Sequence, residues 1–232
     1  MERGMDWLDP LDAAMMTAEV LSGPLNVGAV LIMSPPPEAG PGYVDELHQA
    51  AVSGRHPVDP RLRRYPHRGA QTVGGWVWRE AERVDLSQHC RRITLASDGG
   101  RNELWRVVSR LHAEPLDRSR PMWMSYLIDG LADGRSAFYV KIHHTVMDGV
   151  AGFQMITDAL SPDPKRRSMP HFYAAQYREQ DVRTARKTLQ LPNPFPMLRS
   201  VAGMAASAVA LAERIVTGEV SDVVASLTGD TT

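Results

Sequence analysis

Two adjacent histidines, followed by an aspartate and a glycine, are the residues of this sequence whose types and spacing could do chemistry. They lie in residues 141–149, which read KIHHTVMDG. A histidine side chain titrates near neutral pH and can take a proton from a hydroxyl or a thiol, so this run contains a candidate general base. A carboxylate close behind could orient the imidazole or could fix the turn that carries it.

The run begins in a predicted strand, residues 136–144, and strand geometry separates the two histidines. Side chains alternate between the faces of a strand. One face consists of Phe138, Val140, Ile142 and His144, and the other of Tyr139, Lys141 and His143. His144 therefore lies with the apolar set at the strand end and is the candidate base. Because the two histidine side chains point to opposite faces of the strand, one metal ion bound by both rings is disfavoured. The sequence also contains no cysteine cluster and no helical histidine pair, so we expect no metal.

Asp148 and Gly149 follow at the predicted start of a helix, residues 149–160. We expect the Asp148 carboxylate to shape the site by pairing with an arginine or by hydrogen bonding to the backbone. Direct orientation of the imidazole, as in a catalytic triad, is the alternative. A glycine at the helix start lets the backbone approach another group closely, and the free amides there can meet an anion.

The elements that must position this turn alternate between strands and helices. Predicted helices span residues 11–21, 43–52, 101–111 and 149–160, and predicted strands span residues 27–33, 76–78, 122–128 and 136–144. Residues 54–75 are polar and rich in arginine and proline, which predicts a surface loop. The pattern predicts an α/β or α+β fold, with a mixed sheet flanked by helices.

The organisation of the chain changes after residue 163. Residues 1–163 form the predicted lobe, and residues 164–196, rich in basic residues and proline, are the predicted linker. In residues 197–232, a helix carries an apolar stripe from Val201 to Ile215 before the tail. Such a stripe is usually core, and contact with a lipid surface is the alternative.

Composition excludes several classes of protein. The chain has 232 residues, of which 43% are hydrophobic and 23% charged, as in folded globular domains. A formal net charge of -1 argues against nucleic acid as a partner. One cysteine, Cys90, permits no internal disulfide and is interpreted as an incidental thiol. We expect a cytoplasmic protein, because no secretory signal is recognisable and the longest apolar run is too short to cross a bilayer.

Residues 143–149 match the His-His-x-x-x-Asp-Gly motif of the CoA-dependent acyltransferase superfamily, to which chloramphenicol acetyltransferase and peptide-synthetase condensation domains belong. Residues 10–15 with 24–28, and residues 115–123, are similar to signatures of the wax ester synthase/diacylglycerol acyltransferase family. The resemblance runs from residue 8 to about residue 163 and implies the N-terminal half of such an enzyme, with a chloramphenicol-acetyltransferase-like fold.

The resemblance implies roles for individual residues. His144 would deprotonate the acceptor hydroxyl, which attacks the thioester of acyl-CoA, while Asp148 would have a mainly structural role. His143 would support the loop, and Arg118 or Arg120 is the candidate partner of Asp148. Acyl-CoA is a substrate, and no further cofactor is implied. The acceptor would be a diacylglycerol, giving triacylglycerol, or a fatty alcohol, giving a wax ester.

Family members have two similar lobes with a channel between them, and the asparagine-aspartate motif of the second lobe is absent here. We therefore expect a C-terminal lobe, in the same chain or a separate one, to complete the site. The chain would then be a fragment, a cleaved product or a shortened member of the family. A condensation-type enzyme with a carrier-protein donor and a non-catalytic lipid-binding or assembly module are the alternatives. Any membrane contact would be peripheral, at the inner membrane or at lipid droplets.

Overall fold

In the computed structural model, the described residues are 6–54, 57–96, 99–163, 166 and 171–174. The chain divides into two compact units, Met1–Arg183 and Thr184–Thr232, and the second lies wholly outside the described residues. The predicted helix of residues 197–216 lies outside the described residues, and so does most of the predicted linker, residues 164–196. That domain division therefore stays a prediction.

Seven strands and five helices make up the described fold. The helices are α1 (Pro10–Ser22), α2 (Tyr43–Val52), α3 (Leu86–His89), α4 (Arg101–Ala113) and α5 (Gly149–Asp158). The strands are β1 (Asp6–Trp7), β2 (Asn26–Met33), β3 (Arg64–His67), β4 (Val77–Glu80), β5 (Cys90–Thr94), β6 (Trp123–Asp129) and β7 (Ser136–His143). Two short 3-10 helices, Pro60–Arg63 and Ala70–Thr72, flank β3.

The central sheet has the order β2-β7-β6-β5. Strand β7 is antiparallel to both of its neighbours, β2 and β6, whereas β5 is parallel to β6. A second, three-stranded antiparallel sheet has the order β1-β4-β3. The central sheet is therefore mixed and is flanked by helices, which confirms the predicted fold class.

Each face of the central sheet packs against its own hydrophobic cluster. Val140 and Ile142 of β7 lie with Trp123 in the cluster that includes Met155 of α5. Tyr139 lies on the other face, in the cluster that α4 covers. The predicted alternation along β7 is therefore confirmed, and burial on both faces makes this strand a fixed base for the turn that follows it.

Helix α1 lies at the end of the sheet where β7 finishes. It begins with Pro10 after the N-cap Asp9, whose carboxylate accepts a hydrogen bond of 2.9 Å from the Leu11 N–H. Met16, near its middle, is fully buried in a third cluster with Leu116 and other apolar residues. This packing brings α1 against both the turn after β7 and the segment that follows α4.

The prediction of a surface loop for residues 54–75 was wrong. Leu62 is fully buried, and its carbonyl accepts a hydrogen bond of 2.8 Å from the Trp123 indole N–H. Strand β3 pairs with β4 in the same region. Local composition favoured a loop because many arginines surround one apolar anchor, and only the tertiary contact with Trp123 shows that the segment is part of the core.

Within the ranges that the structure describes, no helix is long and apolar enough to cross a membrane. The apolar run of residues 201–212 lies outside those ranges.

Candidate functional site

The turn after β7 is held by backbone hydrogen bonds on both sides. The His143 N–H donates to the Met122 carbonyl at 3.0 Å, and the His144 N–H donates to the Leu25 carbonyl at 2.9 Å. The N–H groups of Val146 and Met147 both donate hydrogen bonds to the His143 carbonyl. Strand pairing therefore ends at the histidine pair, and the chain turns at once into the N-terminus of α5.

His143 is completely buried, and both of its ring nitrogens face polar groups. Its Nδ1 lies 2.7 Å from the Thr145 hydroxyl and accepts a hydrogen bond of 3.2 Å from the Thr145 N–H. Its Nε2 lies 3.4 Å from a carboxylate oxygen of Glu19 in α1. Burial lowers the pKa of His143, and the attraction of Glu19 opposes that shift only in part. The ring is therefore neutral and fixed, which suits a supporting role.

Glu19 connects three segments of the site. One carboxylate oxygen accepts a hydrogen bond of 3.1 Å from the Leu25 N–H, and the other pairs with Arg118. Burial alone would raise the pKa of Glu19, but the hydrogen bonds from Arg118 and Leu25 and the proximity of His143 lower it overall. Arg118 also lies over the Trp76 ring, with its guanidinium carbon 5.7 Å from the ring centroid. The arginine of the Pro-Leu-Asp-Arg segment is thus tied to α1.

His144 has different surroundings, although it is the next residue. Its side chain is only half-buried, and its ring has no hydrogen-bond partner among the described residues. It lies close enough to Asp12 of α1 to interact electrostatically. Burial and the neighbouring Asp9 raise the pKa of Asp12, while attraction to His144 acts in the opposite direction. The ring nitrogens of His144 therefore remain available to another molecule.

Asp148 is the N-cap of α5. Its carboxylate accepts a hydrogen bond of 2.7 Å from the Ala151 N–H, which satisfies one of the amides that a helix start leaves free. The expected pairing of Asp148 with Arg118 or Arg120 requires correction: Arg118 pairs with Glu19, and Arg120 pairs with Asp117 at 3.2 Å and with Gln88. Backbone hydrogen bonding, the other expectation for Asp148, is the one observed.

Gly149 opens α5 on a side that is free of neighbours in the described residues. A Cβ added there would meet no heavy atom within 4 Å. The next turn exposes two apolar side chains, because Val150 is 44% and Phe153 is 54% exposed. This combination of backbone amides and apolar side chains beside His144 is a surface that an acyl chain with an anionic group could contact.

Three other features could have formed a functional site, and each fits one less well than the histidine turn does. Cys90 is buried, and burial raises the pKa of its thiol to about 11, so it is a poor nucleophile at neutral pH. No cluster of three or more potential metal ligands occurs among the residues that can be described. A cavity of about 410 Å³ lies beside Met124, Tyr126 and Lys141, and none of its lining residues belongs to the histidine turn.

Glu19 is the residue of the site that the sequence analysis missed. Asp12, Met16 and Glu19 are spaced four and three residues apart, so they share one face of α1. That face contacts the histidine turn through Asp12 at one end and Glu19 at the other. The spacing was visible in the sequence, but nothing local showed that this face meets the end of β7.

A solved condensation domain has a fold similar to that of this chain at low sequence identity. The starter condensation domain of rhizomide synthetase superposes with a TM-score of 0.50 at 13% identity, over 67% of this chain and 36% of that chain. At this identity the likeness shows the fold alone, which is that of a condensation domain.

Closer relatives narrow the class. The model of the wax ester synthase/diacylglycerol acyltransferase catalytic domain matches residues 8–231, and the chain belongs to this family. The wax ester synthase/diacylglycerol acyltransferase from Marinobacter aquaeolei VT8 is 33% identical, with a TM-score of 0.66, over 74% of this chain and 41% of that chain. The family resemblance inferred from the motifs is thereby confirmed.

Curated relatives come from mycobacteria. One protein of Mycobacterium tuberculosis, named as a diacylglycerol O-acyltransferase, is 43% identical over 159 residues, which are 68% of this chain and 31% of that protein. A second, with the same type of name, is 36% identical over 205 residues, or 88% of this chain and 45% of the relative. The chain thus spans between about a third and just under half the length of these relatives.

Proposed function

We propose that this chain supplies the histidine-bearing lobe of an O-acyltransferase, which moves a long acyl group from acyl-CoA to a diacylglycerol or a fatty alcohol. His144 is the general base. The observation that carries the proposal is the contrast within the pair. His143 is completely buried, with Nδ1 against Thr145 and Nε2 facing the Glu19 carboxylate, whereas the half-buried His144 lies just before the open start of α5.

The chemistry needs one base and no covalent enzyme intermediate. His144 takes the proton of the acceptor hydroxyl while the oxygen attacks the thioester carbonyl. The new C–O bond forms, the C–S bond breaks, and the proton passes from the imidazole to the departing CoA thiolate. Asp148 holds the start of α5 in place through its cap, so that the amides near Gly149 face the reacting region. No metal ion takes part in this scheme.

The names of the relatives support the choice of acceptors. The curated mycobacterial relatives are named for transfer to diacylglycerol, and the Marinobacter protein is named for both wax ester and diacylglycerol chemistry. Both acceptors present a hydroxyl on a lipid, and both products are esters. The choice of acyl-CoA as the donor is supported by the family motif and by the surface at the start of α5.

A second lobe is part of the proposal. The solved relative is more than twice as long as the matched region, because only 41% of it is covered. The remaining part of such a protein would cover the exposed side of His144, Val150 and Phe153 and would close the lipid channel. We place the assembled enzyme in the cytoplasm, in peripheral contact with the inner membrane or with lipid droplets, where its substrates accumulate.

The test measures transfer from radiolabelled palmitoyl-CoA to diacylglycerol and to hexadecanol. The chain is assayed alone and after combination with a separately produced C-terminal lobe of a family member. Labelled triacylglycerol or wax ester in the combined sample supports the proposal. Product only with an acyl carrier-protein donor would replace it with condensation-type chemistry, and lipid binding without product in any sample would replace it with a binding or assembly role.

A further inference from the structure

We propose that Glu19 is a positioning residue for His144: together with Arg118, it fixes the ring of His143 and the backbone of Leu25, and so sets the place of the base. The inference rests on the proposed function of His144. Glu19 touches no reacting atom in this scheme, and its effect passes through two neighbours of the base.

The first route runs through the ring of His143. The Thr145 N–H points at Nδ1 from 3.2 Å, and on that contact we assign Nδ1 as the unprotonated nitrogen of the neutral ring; the direction of the 2.7 Å contact with the Thr145 hydroxyl depends on the tautomer. The proton is therefore on Nε2, which lies 3.4 Å from the Glu19 carboxylate. A carboxylate that selects one tautomer and one ring orientation of a buried histidine also fixes Thr145, the residue that follows His144.

The second route runs through the backbone of Leu25. Its N–H donates to Glu19 at 3.1 Å, and its carbonyl accepts the His144 N–H at 2.9 Å. Leu25 therefore stands between the carboxylate and the main chain of the base. The two routes start from the same Glu19 oxygen, and one reaches Thr145 while the other reaches the His144 N–H, so loss of this carboxylate releases both restraints together.

Arg118 keeps the carboxylate in place. It pairs with the second oxygen of Glu19, and its own position is fixed over the Trp76 ring. The carboxylate is only 8% exposed, whereas the arginine side chain is 30% exposed. This arrangement gives the arginine of the Pro-Leu-Asp-Arg segment a purpose in the site that does not involve Asp148.

The chain contains a matched ion pair that does not touch the site. Arg92 pairs with Asp129 as well as with the exposed Asp45, and the side chains of Arg92 and Asp129 are 31% and 11% exposed, close to the values for Arg118 and Glu19. Asp129 lies at the end of β6 that is distant from the histidine turn. Asp129→Asn is therefore a control for the loss of a half-buried ion pair without an effect on His144.

The kinetic experiment uses the chain combined with the C-terminal lobe and compares Glu19→Ala, Glu19→Gln and Asp129→Asn. We expect Glu19→Ala to lower kcat by roughly ten- to a hundred-fold, as for losses of supporting hydrogen bonds around catalytic groups, with little change in the KM for palmitoyl-CoA. Glutamine keeps an oxygen that can accept from the Leu25 N–H and face Nε2 of His143, so Glu19→Gln should recover most of that loss. Asp129→Asn should leave kcat unchanged.

A second readout needs no acyl transfer. An NMR correlation of the imidazole nitrogens in the chain alone should show His143 as the Nε2–H tautomer, and Glu19→Ala should introduce the other tautomer or exchange broadening. An Nδ1–H tautomer in the unsubstituted chain, or equal kcat values for Glu19→Ala and Asp129→Asn, would overturn the inference. If no sample transfers acyl groups, the proposed function fails, while the tautomer measurement still decides whether Glu19 fixes His143.

Discussion

The two ends of the central sheet differ in how completely the chain closes them. At the end distant from the histidines, a Cβ on Gly99 would lie 2.1 Å from the Gly130 carbonyl oxygen, and the Glu103 carboxylate accepts hydrogen bonds from the amides of Ala96 and Gly99. At the histidine end, a Cβ on Gly149 would meet nothing within 4 Å. The backbone packed around Gly99 leaves no room for a side chain, whereas Gly149 has room for one.

This difference between the two ends of the sheet indicates that one end stabilises the fold and the other carries the candidate site. At the distant end, the Glu103 carboxylate bonds two backbone amides of the connecting segment. The histidine end commits Glu19, Arg118 and Thr145 to the neutral His143 and leaves His144 accessible. Substitutions at the distant end should therefore act on folding, and substitutions on the open side of the histidine end should act on catalysis.

The largest expected effect on stability comes from Gly99→Ala. Gly99 has a φ of 61°, a conformation that suits glycine, and the added methyl group would collide with backbone atoms of the β6–β7 connection. Strain and overpacking together should lower the free energy of unfolding by roughly 2–6 kcal/mol. Urea unfolding of the chain measures this loss.

Gly149→Ala is the matched substitution at the open end. Alanine at the first position of α5 meets no neighbour and should raise the free energy of unfolding by about 0.5 kcal/mol, because it restricts the unfolded chain. Equal destabilisation by Gly99→Ala and Gly149→Ala would contradict the contrast between the two ends.

Acid should destabilise the fold through two histidines that are buried in the neutral form. Burial lowers the pKa of His143 and of His89, which stacks on Trp123 and is 2% exposed. The unfolded chain binds protons near pH 6.5 while the folded chain does not, so stability is fully present above that pH and falls as the pH drops toward the lowered folded values. Each histidine contributes a slope of up to about 1.4 kcal/mol per pH unit.

Urea midpoints between about pH 7.5 and about pH 5 measure this slope. His89→Gln should remove the contribution of one proton from this slope, which is up to about 1.4 kcal/mol per pH unit. A flat profile in the unsubstituted chain would show that His143 and His89 are not held neutral.

A smaller effect is expected at the cap of α5. Asp148→Ala removes the acceptor for the Ala151 N–H and should cost about 1 kcal/mol, whereas Asp148→Asn keeps an acceptor and should cost a few tenths. Urea unfolding of both variants gives the comparison. If Asp148→Asn costs as much as Asp148→Ala, the carboxylate acts through its charge and not as a cap.

Elements with a strong local pattern were predictable from the sequence. Helix α1 and helix α2 match their predicted ranges within a residue at each end, and β7 ends one residue before the predicted end. The separation of His143 from His144 followed from strand alternation alone. In each case a periodicity of two or of about 3.6 residues carried enough information, because burial in this protein follows the same periodicity.

Other features depend on contacts that the sequence does not show. Strand β5 is absent from the predicted elements because its sequence, CRRIT, has two charged residues in five, and it exists by pairing with β6. The partner of Arg118 was wrongly assigned because Glu19 is 99 residues away in the chain. Long-range pairing decides both outcomes, and no local rule predicts it.

The most direct test of the account is the turnover of His144→Ala in the chain combined with a C-terminal lobe. His67→Ala is the matched control on β3, and urea unfolding checks that both variants fold. We predict that His144→Ala lowers transfer from palmitoyl-CoA by roughly a hundred- to ten-thousand-fold, with unchanged stability, while His67→Ala keeps full turnover. Transfer by His144→Ala at the rate of the unsubstituted protein would contradict the assignment of His144 as the base.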